Sequence, residues 1–94
     1  MHINEPSTDV DSIAVNGREV EVKVYCESDK SGTAYCAAYG SDGRMLGIWA
    51  KALTPGTENT INCTVNENAD TVKAFALDDL FVPLCLAKEQ RIPV

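Results

Sequence analysis

The sequence predicts an all-β domain, and three observations lead to this prediction. Apolar residues recur at every second position in several short runs, which is the spacing of strands with one buried face. Turn residues separate these runs at intervals of roughly eight to twelve residues. The chain nowhere shows the three-four apolar spacing of a long helix without a turn signal inside it. Its 94 residues suit one domain.

The first two predicted strands form an antiparallel hairpin. Ile13 and Val15 lie at alternate positions of the first strand. Residues 20–26 alternate between apolar side chains and side chains that carry a polar group. Asn16-Gly17 lies between the two runs and is a preferred sequence for a two-residue hairpin turn.

A second hairpin is predicted from residues 33–39 and 44–53, with its turn centred between Asp42 and Gly43. This register places Tyr39 opposite Leu46, Ala37 opposite Ile48 and Cys36 opposite Trp49. One face then carries Tyr35, Ala37, Tyr39, Leu46, Ile48 and Ala50. The other carries Ala34, Cys36, Ala38, Met45, Gly47, Trp49 and Lys51. Neither face is polar.

Three further strands complete the predicted fold. Ile61, Cys63 and Val65 alternate with polar residues, residues 72–77 form the sixth strand, and residues 84–88 form the last. Seven short strands in a chain of this length predict a seven-stranded antiparallel immunoglobulin-like β-sandwich, with immunoglobulin-like or fibronectin-III-like strand order. A small barrel is the alternative.

Composition and charge limit the partners and the compartment. Eight Lys and Arg against fourteen Asp and Glu give a net charge of -6, so nucleic acid and anionic membranes are not expected partners. The longest apolar run, 80–87, is shorter than the roughly 20 residues that span a bilayer. No signal peptide is recognised, so an exported protein would contain this chain as one part.

We expect a flexible lead-in at 1–9, the sandwich at 10–89 and a tail at 90–94.

The residue types argue against an enzyme, a cofactor and a metal site. His2 is the sole histidine and lies in the lead-in, which leaves no base for a nucleophile. Asp78 and Asp79 are neighbours that point to opposite faces of a strand or into solvent on a turn, which does not suit a pair of catalytic carboxylates. The four cysteines lack the close spacing of a zinc site.

Cysteine pairing depends on strand order. If the second and fifth strands are antiparallel neighbours, Cys26 could meet Cys63. The sequence does not decide whether these two cysteines form a disulfide. Cys36 and Cys85 are expected on either side of the sixth strand, roughly 9 to 10 Å apart and beyond bonding reach. Four reduced thiols are slightly favoured, because buried cysteine acts as a small apolar side chain.

The sheet built on residues 33–53 and 72–77 carries apolar side chains on both faces, although one face alone can line a core. We therefore expect a contact surface on the outer face. Its candidate binding residues are Trp49, Tyr35, Tyr39, Met45 and Phe75. The alternatives are that residues 80–86 fold back over this face, or that the register differs.

Three motifs resemble those of a known family: GTAYCAAYGSDGRMLG at 32–47, DTVKAF at 70–75 and VPLC at 82–85. They are similar to motifs of a small β-sandwich domain found, often near the C-terminus, in large exported proteins of gut Firmicutes, including glycoside hydrolases and leucine-rich-repeat surface proteins. The resemblance covers about residues 12–88. It implies a non-catalytic accessory module, secreted or on the cell surface. The chain departs from the family where Gly40, Leu77 and Val82 stand in place of the usual Asp, Trp and Lys.

Two functions follow as hypotheses. The first is an interaction or spacer module whose partners are neighbouring domains of the parent protein or another surface protein. The alternative is a carbohydrate-binding module that stacks a polysaccharide on Trp49 with Tyr35 or Tyr39. A flat row of exposed rings with polar neighbours would favour sugar binding. A smooth patch of Trp49, Met45 and alanines would favour protein docking.

Overall fold

The computed structural model describes residues 7–92, and within this range it contains strands and no helix. The seven strands are β1 Asp9–Asn16, β2 Glu19–Tyr25, β3 Thr33–Gly40, β4 Met45–Ala52, β5 Glu58–Thr64, β6 Ala69–Leu77 and β7 Lys88–Arg91. The predicted all-β, seven-stranded antiparallel architecture is confirmed. With no helix between residues 7 and 92, nothing in that part of the chain could cross a membrane in helical form.

The strands form two antiparallel sheets. One sheet has the order β1-β2-β5 and the other has the order β4-β3-β6-β7. The predicted pairing of the second strand with the fifth is confirmed, since β2 and β5 are antiparallel neighbours. The two sheets enclose one hydrophobic core, which is the arrangement of a β-sandwich.

The core is built from alternate residues of the central strands. The three-stranded sheet contributes valines, among them Val20, Val22 and Val24 of β2. The four-stranded sheet contributes smaller side chains, which are Ala34, Cys36 and Ala38 of β3 and Val72, Ala74 and Ala76 of β6. Small side chains on one inner face and branched ones on the other let the sheets interdigitate closely.

The first hairpin is present, and its loop differs from the prediction by one residue. Asn16 pairs with Glu19, so the two loop residues are Gly17 and Arg18. Gly17 has φ 65°. A positive φ at the first of two loop residues is the pattern of a type II′ turn, which favours glycine at that position. Asn16 therefore belongs to the ladder and not to the loop.

The second hairpin has the predicted register over most of its length. Pairs from Thr33 opposite Ala52 to Ala38 opposite Gly47 match the prediction. At the turn, however, a register shift places Tyr39 opposite Met45 and not opposite Leu46. Because a bulge inserts one unpaired residue, every side chain beyond it changes face.

The last strand begins four residues later than predicted. Residues 83–87 run beside β6 but contribute little to the ladder, through a bridge between Leu77 and Pro83 and a bond from the Leu84 N–H to the Ala76 carbonyl. Pro83 lacks an N–H for a regular ladder. Strand β7 is polar and fully exposed, which protects the edge of the sheet from pairing with other chains.

Both predicted terminal segments contain ordered residues. Residues 1–6 and 93–94 lie outside the described part of the chain. Thr8 is buried, and it exchanges two hydrogen bonds with Glu27: the Thr8 N–H donates to the carboxylate at 2.9 Å, and the Glu27 N–H donates to the hydroxyl at 3.0 Å. Ile92 packs against the core, although it falls in the predicted tail.

Candidate functional site

The outer face is defined here as the side of β3, β4 and β6 that points away from the core. Since Cys36 and Ala74 are inward and completely buried, their neighbours point outward. The outward side chains are Tyr35, Ala37, Tyr39, Met45, Ile48, Ala50, Lys73, Phe75 and Leu77. Met45 and Ile48 expose 48% and 51% of their surface, although both are large and apolar. The outer face is therefore mostly hydrophobic, and it is most exposed along β4.

An aromatic pair occupies the centre of the outer face. Tyr35 and Phe75 lie directly opposite each other on β3 and β6. Their ring centroids are 5.2 Å apart and the rings are stacked at an interplanar angle of 18°. Such a cross-strand pair contributes about 0.5–1.5 kcal/mol beyond its buried area. The stacking also restricts the orientations that the two rings can adopt.

A groove of about 420 Å³ lies between β6 and the segment 83–87. It is lined by Tyr39, Lys73, Phe75, Leu77, Pro83, Cys85, Leu86 and Ala87. Among these lining residues Lys73 carries the one charge. Leu86 is 84% exposed at the rim. The groove extends the hydrophobic outer face to the edge of the sheet.

The loop after β6 holds further apolar side chains in solvent. The Asp78 carboxylate accepts hydrogen bonds from the N–H groups of Leu80 and Val82, at 2.8 Å and 2.9 Å. Phe81 has φ 64°, a conformation that costs energy for a residue with a side chain. Leu80 and Phe81 are strongly exposed. Residues 80–86 therefore flank the outer face and do not fold back over it.

Trp49 lies on the other side of the four-stranded sheet. It pairs with Cys36, packs against the core and places its indole over Gly47. It also borders a depression of about 770 Å³, lined by Ala14, Asn16, Glu19, Val20, Glu21, Asn62, Cys63 and Thr64. The nearby Lys51 ammonium donates to the Thr60 carbonyl at 2.9 Å and links the edges of the two sheets.

The structure thus places the five predicted binding residues on two different sides of the four-stranded sheet. Tyr35, Tyr39, Phe75 and Met45 share the outer face, whereas Trp49 is on the inner side of the sheet. The register predicted from the sequence placed Met45 on the same face as Trp49. The register shift between Ala38 and Tyr39 places Met45 on the outer face. The groove residues Pro83 and Leu86 were not predicted, because an irregular segment has no alternation that would reveal its contacts.

The predicted encounter of Cys26 with Cys63 is wrong. Cys26 follows Tyr25, which pairs with Glu58, whereas Cys63 pairs with Val20 at the opposite end of β2. The prediction failed because β5 begins at Glu58, so Cys63 is near the end of that strand and not near its start. The Cys26 thiol contacts the Glu27 and Lys30 carbonyls, each at 3.5 Å.

Cys63 instead contacts Cys36 across the core, with 3.7 Å between the two Sγ atoms. Burial raises the pKa of the Cys36 thiol to about 12, and the adjacent Cys63 adds to this effect. Burial also raises the pKa of Cys63. Both groups are therefore protonated at neutral pH, unlike the thiolate that a catalytic cysteine requires.

Comparison with protein-family models gives no match, and comparison with curated proteins gives none either. Within residues 7–92, no group of three or more His, Cys, Asp or Glu side chains is arranged to hold a metal ion.

Proposed function

We propose that this chain is a non-catalytic module of immunoglobulin-like class that serves as an interaction or spacer domain in a larger exported protein. The outer face of the four-stranded sheet is its contact surface. The observation that carries the proposal is the continuous apolar surface from Met45 and Ile48, across Tyr35 and Phe75, to Leu86. Soluble monomers rarely expose large contiguous apolar patches without a partner.

The chemistry of the outer face favours a protein partner. Each ring of the Tyr35–Phe75 pair covers part of the other, so the two do not form a free platform for a sugar. The remaining groups are mostly aliphatic and offer few hydrogen bonds. A partner with apolar side chains, and a carboxylate placed to meet Lys73, complements both the groove and its charge.

Two lysine substitutions test this proposal. Ile48→Lys and Leu86→Lys together place charges on the outer face at exposed positions, so the fold should be retained. Ser12→Lys, at an exposed position of β1 in the three-stranded sheet, is the control. Binding of each variant to the rest of the parent polypeptide, expressed without this domain, is measured by calorimetry. We expect the double variant to lose at least tenfold in affinity, which corresponds to about 1.4 kcal/mol, and the control to bind as the wild type does. Equal binding by both variants would contradict the proposal.

A carbohydrate-binding module is the second candidate, and the depression beside Trp49 favours it. The depression joins one indole to amide and carboxylate groups from Asn16, Glu21 and Asn62, a combination suited to sugar hydroxyls and a sugar ring face. The alternative in which Trp49 stacks a sugar together with Tyr35 or Tyr39 would require all of them on one face, and they lie on opposite sides of the sheet.

The sole tryptophan gives this second candidate a direct test. A glycan array screens for the polysaccharide, and titration of Trp49 fluorescence measures its binding. Sugar binding in the depression would shift the emission, and Trp49→Ala would abolish array binding. An unchanged emission spectrum at millimolar sugar would exclude this candidate.

A further inference from the structure

Two thiols from opposite sheets meet in the middle of the core. Cys36 is at the centre of β3 and Cys63 is near the end of β5. Both are buried, and their Sγ atoms are 3.7 Å apart, although the two cysteines are 27 positions apart along the chain. In the described part of the chain these are the two cysteines whose sulfur atoms are in direct contact.

The two sheets approach each other closely between β3 and β5. Some Cα atoms of β3 and β5 lie within 8 Å of each other. The small side chains of Ala34 and Ala38, on either side of Cys36, allow this approach. A disulfide has an S–S distance of about 2.05 Å, so the sulfur atoms must move together by about 1.7 Å.

We propose that Cys36 and Cys63 are a disulfide site that joins the two sheets when the chain folds in an oxidising compartment. A thiolate of one cysteine attacks a disulfide oxidant such as oxidised glutathione, and one glutathione thiol leaves. The second cysteine thiolate then displaces the other glutathione thiol. The two cysteines lose two protons and two electrons, and the oxidant is reduced to two thiols.

Burial determines when this reaction occurs. In the folded domain Cys36 is completely buried, Cys63 is 7% exposed, and both thiols are protonated, so an oxidant does not reach Cys36 and finds a thiolate at neither cysteine. Exchange therefore takes place before the sheets close, and the completed bond is then enclosed in the core. The site is independent of the contact surface proposed above.

Mass spectrometry of refolded protein identifies the bond. The chain is unfolded with reductant and refolded in a glutathione redox buffer or, as the control, in reductant alone. Free thiols are then alkylated under denaturing conditions before digestion with trypsin. Each cysteine falls in a separate tryptic peptide, which are 24–30, 31–44, 52–73 and 74–88. We expect peptides 31–44 and 52–73 to be joined, with a mass about 2 Da below their sum. Alkylation of both peptides, or a link to either of the others, would overturn the proposal.

Two double variants give an independent measurement. Cys26→Ala with Cys85→Ala retains the proposed pair, and Cys36→Ala with Cys63→Ala removes it. Closure of a loop of 27 residues predicts that oxidation raises Tm by roughly 10 °C or more in the wild type and in the first variant. The second variant should show no such shift. If the second variant does not fold, the wild type refolded with and without oxidant supplies the comparison, and an unchanged Tm would refute the proposal.

Discussion

Raising the pH under reducing conditions should destabilise this domain through Cys36. The pKa of this thiol is raised from 9.0 to about 12 by burial and by the neighbouring Cys63. In the unfolded chain the thiol ionises near its ordinary pKa. Between these two values the folded state holds the proton and the unfolded state does not. The free energy of unfolding therefore decreases as pH rises, and it does so within this window.

The size of the effect follows from the pKa difference. Each pH unit inside the window changes the free energy of unfolding by about 1.4 kcal/mol. From pH 8.5 to pH 10.5 the contribution of Cys36 is a loss of about 2 kcal/mol. That is a large part of the 5–15 kcal/mol by which domains are typically stable. Burial raises the pKa of Cys63 and Cys85 as well, so they act in the same direction.

A Cys36→Ala variant isolates this contribution. Urea unfolding is followed by Trp49 fluorescence at both pH values with a reductant present, for the wild type and the variant. Groups whose ionisation does not depend on Cys36 contribute equally to both proteins, so their contributions cancel in the difference. We expect the stability of the wild type relative to the variant to fall by about 2 kcal/mol between pH 8.5 and pH 10.5. Parallel pH dependences would show that Cys36 does not hold its proton in the folded state.

Three further substitutions have predictable effects on the urea midpoint. Gly32→Ala should destabilise by about 3 kcal/mol or more, because its Cβ would overlap the Leu77 backbone; a folded variant of wild-type stability would contradict the packing. Asn59→Ala should cost about 2–3 kcal/mol, because the buried amide accepts from the Thr54 N–H at 2.8 Å and donates to the Thr57 carbonyl at 3.0 Å. Ile48→Lys should change stability by less than about 0.5 kcal/mol and reduce binding of the dye ANS; unchanged dye binding would contradict an exposed apolar outer face.

The sequence predicted most strands because one face of each strand is buried in the core. This burial produces the alternation of apolar and polar residues along the strand. The Asp42-Gly43 turn also predicted the hairpin register, which holds from Thr33 to Ala38. A bulge has no composition signal, so Met45 was placed on the wrong face. The last strand was predicted at residues 84–88, four residues too early, because the charged edge strand β7 has no buried side chains and hence no alternation.

The cysteine contact could not be predicted for a related reason. Strand β5 starts with Glu58, Asn59 and Thr60, which are polar and resemble a continuation of the preceding turn. Asn59 is nevertheless buried, because its amide organises that turn. The predicted strand began at Thr60 and left out Glu58 and Asn59, so it was assigned too late in the chain and Cys63 was placed towards the wrong end of β2.

The two faces of the four-stranded sheet carry side chains of different size, and this difference bears on the function of the domain. Its inner face carries alanines and Cys36, which bring the sheets together, while the larger Tyr35, Phe75 and Ile48 point outward. A domain that used its apolar area only for its own core would place the aromatic rings inside, where burial contributes about 25 cal/mol per Å². Trp49 does so in part, since it packs against the core, whereas Tyr35 and Phe75 are partly buried on the outer face and Ile48 is 51% exposed. The apolar area that these outward side chains leave in solvent is what the proposed partner on the outer face would bury.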